Sequence, residues 1–420
     1  MELVATQVAV HFHSSIVETL RDHGGKITVA NTTLLLAEQF GFCYGVKRAI
    51  DLAYASRQVF PANRIFLIGE IIHNPEVNRQ LRDMDIVSLP WREMDASYDA
   101  LTCDDVLIVP AFGAPTTFMD KVAQRGCYVI DTTCGDVMKV WRRVRGYAKD
   151  HVTSIIHGKS DHEETRATAS RALGAQGNGH YLVVLTQADV EFLCHYLLHG
   201  GDRARFLARF KGGHSPGFDP DVHLQTVGLA NQTTMLKSET EEMQRRIRSA
   251  IIARDGDAGA FQVYDTICGA TQERQDALFE MLRLPMDLLL VVGGYNSSNT
   301  SHLVAMAQPL VTTFFIRDAS CIRSLNEIAH FDLRDRREIT AYANLLANPG
   351  PLTVGITAGA SCPNNLIEDT IFKVLELRGV PREALGTDWH PRRSGLPDAV
   401  VSAIAPPAAD DSTLSGENYH

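Results

Sequence analysis

One short phrase occurs twice in this chain, as DTTCG at residues 131–135 and as DTICG at 265–269. Each follows a strand-like run, CYVI or FQVY, and each precedes a helical pattern, VMKVWRRVRGYAK or ATQERQDALFEML. A third junction of strand, cysteine, glycine and helix lies in LLLAEQFGFCYGVKRAIDLA, around Cys43. Three copies of one supersecondary unit point to three related lobes rather than one long sheet.

The rest of the chain has the rhythm to build such lobes. Short apolar runs (TLLLA, RIFLI, DVLIVP, TSIIH, YLVVL, DLLLVV, TFFI, LTVGIT) alternate with helical patterns, and nearly every run ends in a polar loop. That alternation predicts an α/β fold of three αβ lobes, with chemistry in the loops at the carboxyl ends of strands. The lobes are expected at residues 31–134, 135–266 and 267–390. Residues 1–30 read as an N-terminal extension, and 200–222, rich in Gly, Pro and charge, as an irregular insertion in the second lobe. Residues 391–420 read as a disordered tail.

Hydrophobic residues make up 45% and charged residues 21% of the 420, the balance of a globular protein. A net charge of −10 disfavours non-specific binding to nucleic acid or an anionic membrane, so an anionic ligand must be caught by local donors. No apolar run approaches the roughly 18 residues of a membrane span. The start, MELVATQVAVHFHSS, lacks the basic opening and apolar run of a secretory signal. Eight cysteines without paired spacing do not form a disulfide framework. A reducing, cytoplasmic setting is expected, where thiols serve metals or chemistry.

Cys103 and Cys127 border strand-like runs, Cys194 lies in a helical pattern and Cys321 has no distinguishing neighbours, so these four read as structural; Cys362, beside Ser361 in a strand-end loop, is ambiguous. Cys43, Cys134 and Cys268 share one position: a strand end opening a helix. Helix N-termini direct free N–H groups and partial positive charge at a sulfur, favouring a thiolate or an anionic cluster. The wide separation of the three rules out the local ligand spacing of zinc fingers and bacterial ferredoxins. One thiolate from each lobe would leave one iron of a cubane without a protein ligand, which suits a Lewis-acid catalyst.

Five further strand-end loops are dense in donors: GEIIHNPEVN (69–78), IIHGKSDHEETRATAS (155–170), VGLANQTTM (227–235), VVGGYNSSNTS (291–301) and GITAGAS (355–361). Ser, Thr, Asn, His and glycine-flanked amides can jointly bind phosphate; each loop alone could equally be a helix-capping turn. No HExxH, GxGxxG or Walker sequence accompanies them.

Taken in order, GFCYGVKRAI, GEIIHNPEVN, DTTCGDVMKVW, IIHGKSDHEET, ANQTTM, DTICGATQERQDA, NSSNTSHL and GITAGASCP resemble the 4-hydroxy-3-methylbut-2-enyl diphosphate reductase family over roughly residues 33–375. HGKSDHEETRATAS, SPGFDP and ATQERQDA resemble its longer cyanobacterial and plant-plastid branch. The resemblance implies a 4Fe-4S cluster on Cys43, Cys134 and Cys268, with Glu164 as proton donor. It implies His73, His162, Thr233, Ser297, Ser298, Asn299 and Ser361 as contacts to a small allylic diphosphate. Two departures stand out: Phe112, in PAFGAPTT, occupies the place of a histidine in shorter members, and Gly135 that of a proline in many. The longer branch shares the first change.

The implied reaction is a reductive dehydration giving isopentenyl and dimethylallyl diphosphate, the last step of the non-mevalonate isoprenoid route. Its rivals are a non-redox hydro-lyase of the aconitase type, an iron–sulfur redox sensor and a structural zinc protein. Lys139, Arg142, Arg143 and Lys149 form a basic stripe that could dock a ferredoxin or flavodoxin-type electron donor or be a solvated helix face. Of the adjacent Glu163 and Glu164, the first is expected only to cap a helix.

Overall fold

The computed structural model describes residues 2–382 apart from 93–95, 265, 343 and 345. Three largely parallel sheets carry the chain. The first runs Ile86–Leu89, Ile65–Ile68, Val106–Val109, Tyr128–Asp131. The second runs Phe261–Val263, Val227–Asn231, Thr153–His157, Tyr181–Val184. The third runs Lys26–Val29, Thr32–Leu36, Leu352–Ala358, Leu288–Val292, Thr313–Ile316, and only its first strand is antiparallel. Their central strands VLIV, TSIIH, VGLAN and LLLVV are buried at every residue, as parallel strands covered on both faces must be.

The route between sheets is cyclic. Leaving Thr32–Leu36 of the third sheet, the chain passes Cys43 and the helix Tyr44–Val59 to reach Ile65–Ile68 of the first. Leaving Tyr128–Asp131, it passes Cys134 and the helix Gly135–Lys149 to Thr153–His157 of the second. Leaving Phe261–Val263, it passes Cys268 and the helix Gly269–Met281 to Leu288–Val292 of the third. Each repeated junction is therefore a crossing between lobes.

This topology moves one expected boundary. The first lobe was expected to open at residue 31, but Thr32–Leu36 pairs in parallel with Leu352–Ala358 and belongs to the C-terminal lobe. A strand's partner is chosen by long-range pairing, which the local pattern does not encode. Nor is the stretch before residue 31 an appendage. Its helix Glu2–Phe12 buries Val4, Val8 and Phe12, at i, i+4 and i+8, in the first-lobe core, and Ser15–Asp22 buries Val17 and Leu20 in the third. Likewise 200–222 holds the helix Arg203–Arg209, capped by the Asp202 side chain, and contributes Phe206, Phe210 and Phe218 to the second core. Its flanking Gly and Pro residues mask that apolar spacing. An antiparallel sheet of Ile322–Ser324, Glu327–Asp332 and Arg337–Tyr342 joins the third lobe, with the Phe331 ring against Tyr295 and Phe315. The expected tail, 391–420, lies outside the described residues, as do 383–390 of the expected third lobe. Among the described residues no helix is long and apolar enough to cross a membrane.

A candidate active site where the three lobes meet

Cys43, Cys134 and Cys268 are the N-cap residues of their three helices and line one central cavity of ≈ 100 Å³. Val46 N–H lies 3.5 Å from the Cys43 sulfur; Thr271 N–H donates to the Cys268 sulfur at 3.3 Å, and the Thr271 hydroxyl is 2.9 Å from it. At position 45 a Cβ would stand 2.6 Å from Cys134 Sγ, so any larger residue there would displace that sulfur. All eight cysteines are free thiols, and the other five do not line the cavity.

Burial pushes the Cys268 thiol up to about 12 and raises Cys134 as well, so neither is a ready nucleophile; a bound cation would hold them as thiolates. Arg274, itself buried, donates to the carbonyls of Gly41 and Ala270 and supplies a cation near Cys43 and Cys268. Three cysteine thiols, each at a helix N-terminus and two of them within reach of backbone N–H groups, make a soft donor set of the kind an iron–sulfur cluster takes.

Opposite the thiols, the helix Glu163–Ala172 presents its N-terminus. His162 caps it: Glu164 N–H donates to His162 Nδ1 at 3.2 Å. A neutral His162 accepting there must carry its proton on Nε2. Burial, reinforced by the charge on His73, pushes His162 down to about 3. Glu164 is 2% exposed, and burial raises its carboxyl to about 7. Hydrogen bonds from the Thr233 N–H (2.6 Å) and hydroxyl (3.1 Å) oppose that shift and orient the group. Glu163 corrects its expected role: besides opening the helix, it lies 3.5 Å from His73 Nε2.

The remaining wall is polar and tightly knit. Ser297 caps the helix Ser298–Ala307, Asn299 accepts from Ala360 N–H, and the Ser361 hydroxyl donates to the His73 carbonyl at 3.2 Å. That carbonyl would stand 2.3 Å from a Cβ at position 294, so Gly294 permits the contact between first and third lobes. Gln232 joins the second and third: it donates to Ser298 and Thr234 and accepts from Lys159 N–H and the Thr165 hydroxyl. His73 stacks on Phe112, with centroids 4.3 Å apart.

All eleven residues singled out from sequence line this one cavity: Cys43, Cys134, Cys268, Glu164, His73, His162, Thr233, Ser297, Ser298, Asn299 and Ser361. Cys362, left ambiguous, is buried away from it. Sequence reasoning did not single out Thr271, Gln232 or Arg274, although all three stand within the motifs ANQTTM and ATQERQDA.

Fold and cavity together define a class: a three-lobed α/β protein with thiols, a buried carboxyl and a polar cradle converging between lobes. The LytB protein family profile matches residues 34–375, and the chain belongs to that family. It is similar to 4-hydroxy-3-methylbut-2-enyl diphosphate reductase of Gloeothece citriformis, 43% identical over 87% of this chain and 90% of the relative. With that of Thermosynechococcus vestitus it shares 44% identity over 90% and 93%. Among solved structures it resembles a (E)-4-hydroxy-3-methyl-but-2-enyl diphosphate reductase described as the terminal enzyme of the non-mevalonate pathway. That likeness has a TM-score of 0.50 and 25% identity, over 83% of this chain and 100% of the other. The fold also matches E-1-hydroxy-2-methyl-but-2-enyl-4-diphosphate reductase of Plasmodium falciparum, with TM-score 0.60 and 22% identity, over 88% and 97%.

Proposed function

We propose that the cavity carries out the family's reaction: reductive dehydration of 4-hydroxy-3-methylbut-2-enyl diphosphate to isopentenyl and dimethylallyl diphosphate. The observation that carries the residue assignment is the convergence of three N-cap cysteines, one buried carboxyl and a Ser/Thr/Asn/His cradle on one pocket. Cys43, Cys134 and Cys268 would hold a 4Fe-4S cluster. Such a cluster would supply single electrons and Lewis acidity to the pocket.

The chain's own groups do the rest. His73, His162, Ser297, Ser298, Asn299 and Ser361 bind the diphosphate with directed donors and so place the reacting carbon. Thr233 aims Glu164, whose raised pKa keeps a proton on the carboxyl near neutrality. Glu164 delivers that proton to the departing hydroxyl, which leaves as water. Two electrons and a second proton complete the balance, and the end of the allyl unit that is protonated decides which isomer forms.

The electron donor we assign is an acidic one-electron carrier of the ferredoxin or flavodoxin type. Its landing face is the surface beside Cys43 and Cys134: Tyr44, next to Cys43, is 81% exposed, and Lys139, Arg142, Arg143 and Lys149 are exposed along the helix that Cys134 opens. Eight free thiols suit a reducing compartment such as the cytoplasm.

Anaerobic purification with iron and sulfide analysis, followed by turnover of the allylic diphosphate with a reduced dye, tests the reading. Cys43→Ser, Cys134→Ser and Cys268→Ser should each lose cluster and activity, while Cys103→Ser and Cys194→Ser keep both. A fully loaded, active Cys134→Ser enzyme would refute the ligand assignment.

A further inference from the structure

Two carboxylates that flank His73, a residue of the cavity wall, have no part in that reaction. Glu70 Oε2 lies 3.0 Å from His73 Nδ1, and Glu163 Oε2 lies 3.5 Å from His73 Nε2. A neutral imidazole has one N–H; a ring with a carboxylate facing each nitrogen satisfies both only as imidazolium. Phe112 lies nearly flat on the same ring, at 21° between planes, and fixes its orientation from the face.

We propose that Glu163 is a positioning residue: with Glu70 it holds His73 as a cation whose Nε2–H is presented to the substrate's diphosphate. The inference rests on reading the cavity as the diphosphate site. His73 Nε2 is buried and makes no hydrogen bond, since Glu163, at 3.5 Å, stands at the outer limit of one. That N–H can therefore turn to a phosphate oxygen while Nδ1 stays on Glu70. The titratable groups facing His73 are Glu70 on its own loop and His162, Glu163 and Glu164 at the opposite helix start. Burial works against the charge, but hydrogen bonds to Glu163 and Glu70 and their negative charges outweigh it and raise His73 to about 9.

The same atoms invite a rival. Ligand atoms of His73, His162 and Glu163 all lie within 4.8 Å of one another, close enough to share a divalent cation. The capping bond at His162 decides against it. With Nδ1 accepting from Glu164 N–H, the ring proton of His162 is on Nε2, and neither nitrogen offers a lone pair to a metal. A proton held between His73 and Glu163 needs no third ligand.

The test is the pH dependence of KM and kcat for wild type, Glu163→Gln and Glu163→Asp holoenzymes at matched iron content, with a small-molecule reductant. In the wild type, KM should rise as pH passes about 9, where His73 loses its charge. In Glu163→Gln that limb should move down by about one pH unit or more, since a neighbouring carboxylate shifts a pKa by about that much. Relative to wild type, KM then rises roughly twofold at about pH 8 and approaches tenfold by about pH 10, kcat at saturation stays within about threefold, and Glu163→Asp recovers part of the loss. An unmoved KM profile in Glu163→Gln, or a fall in kcat as large as that in kcat/KM, overturns the proposal. So does a wild-type KM that a chelator raises and a divalent cation restores. A wild type that does not turn over the allylic diphosphate at all fails the functional reading itself, a different result from an unmoved profile.

Discussion

Glu164 and Glu163 are neighbours in the chain and opposites in chemistry. Among the described residues Glu164 has only Thr233 as donor, in a site where burial favours the neutral acid, while Glu163 faces a histidine cation and is held below the usual carboxylate range despite its burial. The first can give a proton near neutrality; the second stays charged. Glu164→Gln keeps size and hydrogen bonding but has no acidic proton. At matched iron content its kcat should fall by roughly 10²–10⁴, the usual worth of a positioned acid. Because the Glu164 pKa is raised, its acid form is present below about 7 and is lost as pH rises through that value. Wherever proton delivery limits the rate, wild-type kcat should therefore decline on the alkaline side of about 7. A Glu164→Gln enzyme at near wild-type rate would place the proton source elsewhere.

The helices opened by the cysteines set how close the sulfurs come. Gly45→Ala would put a Cβ 2.6 Å from Cys134 Sγ, so this variant should bind less iron per chain. Gly135→Ala meets nothing within 4 Å and should bind iron as the wild type does. Equal loading in both would mean that the approach of the first two helices does not matter to the ligand set. Along the helix Gly135–Lys149, Lys139 pairs with Asp136 and Arg143 lies over the Tyr264 ring, which leaves the stripe exposed but ordered. Charge reversal at Arg142 and Arg143 should slow reduction by an acidic protein donor, most at low salt, and spare the dye-driven rate. If the rate with the protein donor is unchanged, the stripe is only a solvated face.

At the scale of the molecule, three lobes can form a closed site only if each is stable enough to hold its wall. Phe206, from the segment expected to be an irregular insertion, is fully buried among Phe192, Tyr196, Phe210 and Phe218. Phe206→Ala should cost about 3–5 kcal/mol, read as a lower thermal midpoint of the holoenzyme with iron per chain unchanged. An unmoved midpoint would return 200–222 to the status of a loose excursion.

What the sequence by itself determined is local. A strand run, a cysteine, a glycine and a helical pattern encode a junction through periodicity and capping, and those signals are complete within some twenty residues. The cavity's donors were legible for the same reason, since each stands at the end of an apolar run. The tertiary structure alone decided which junctions face one another. Thr32–Leu36 pairs with Leu352–Ala358, the first helix packs against Tyr54, and Glu163 finds its partner in His73. Such partners are selected by packing and electrostatics between segments far apart in the chain. A carboxylate that in sequence looks like a helix cap becomes a keeper of charge only when a histidine from another lobe is set against it.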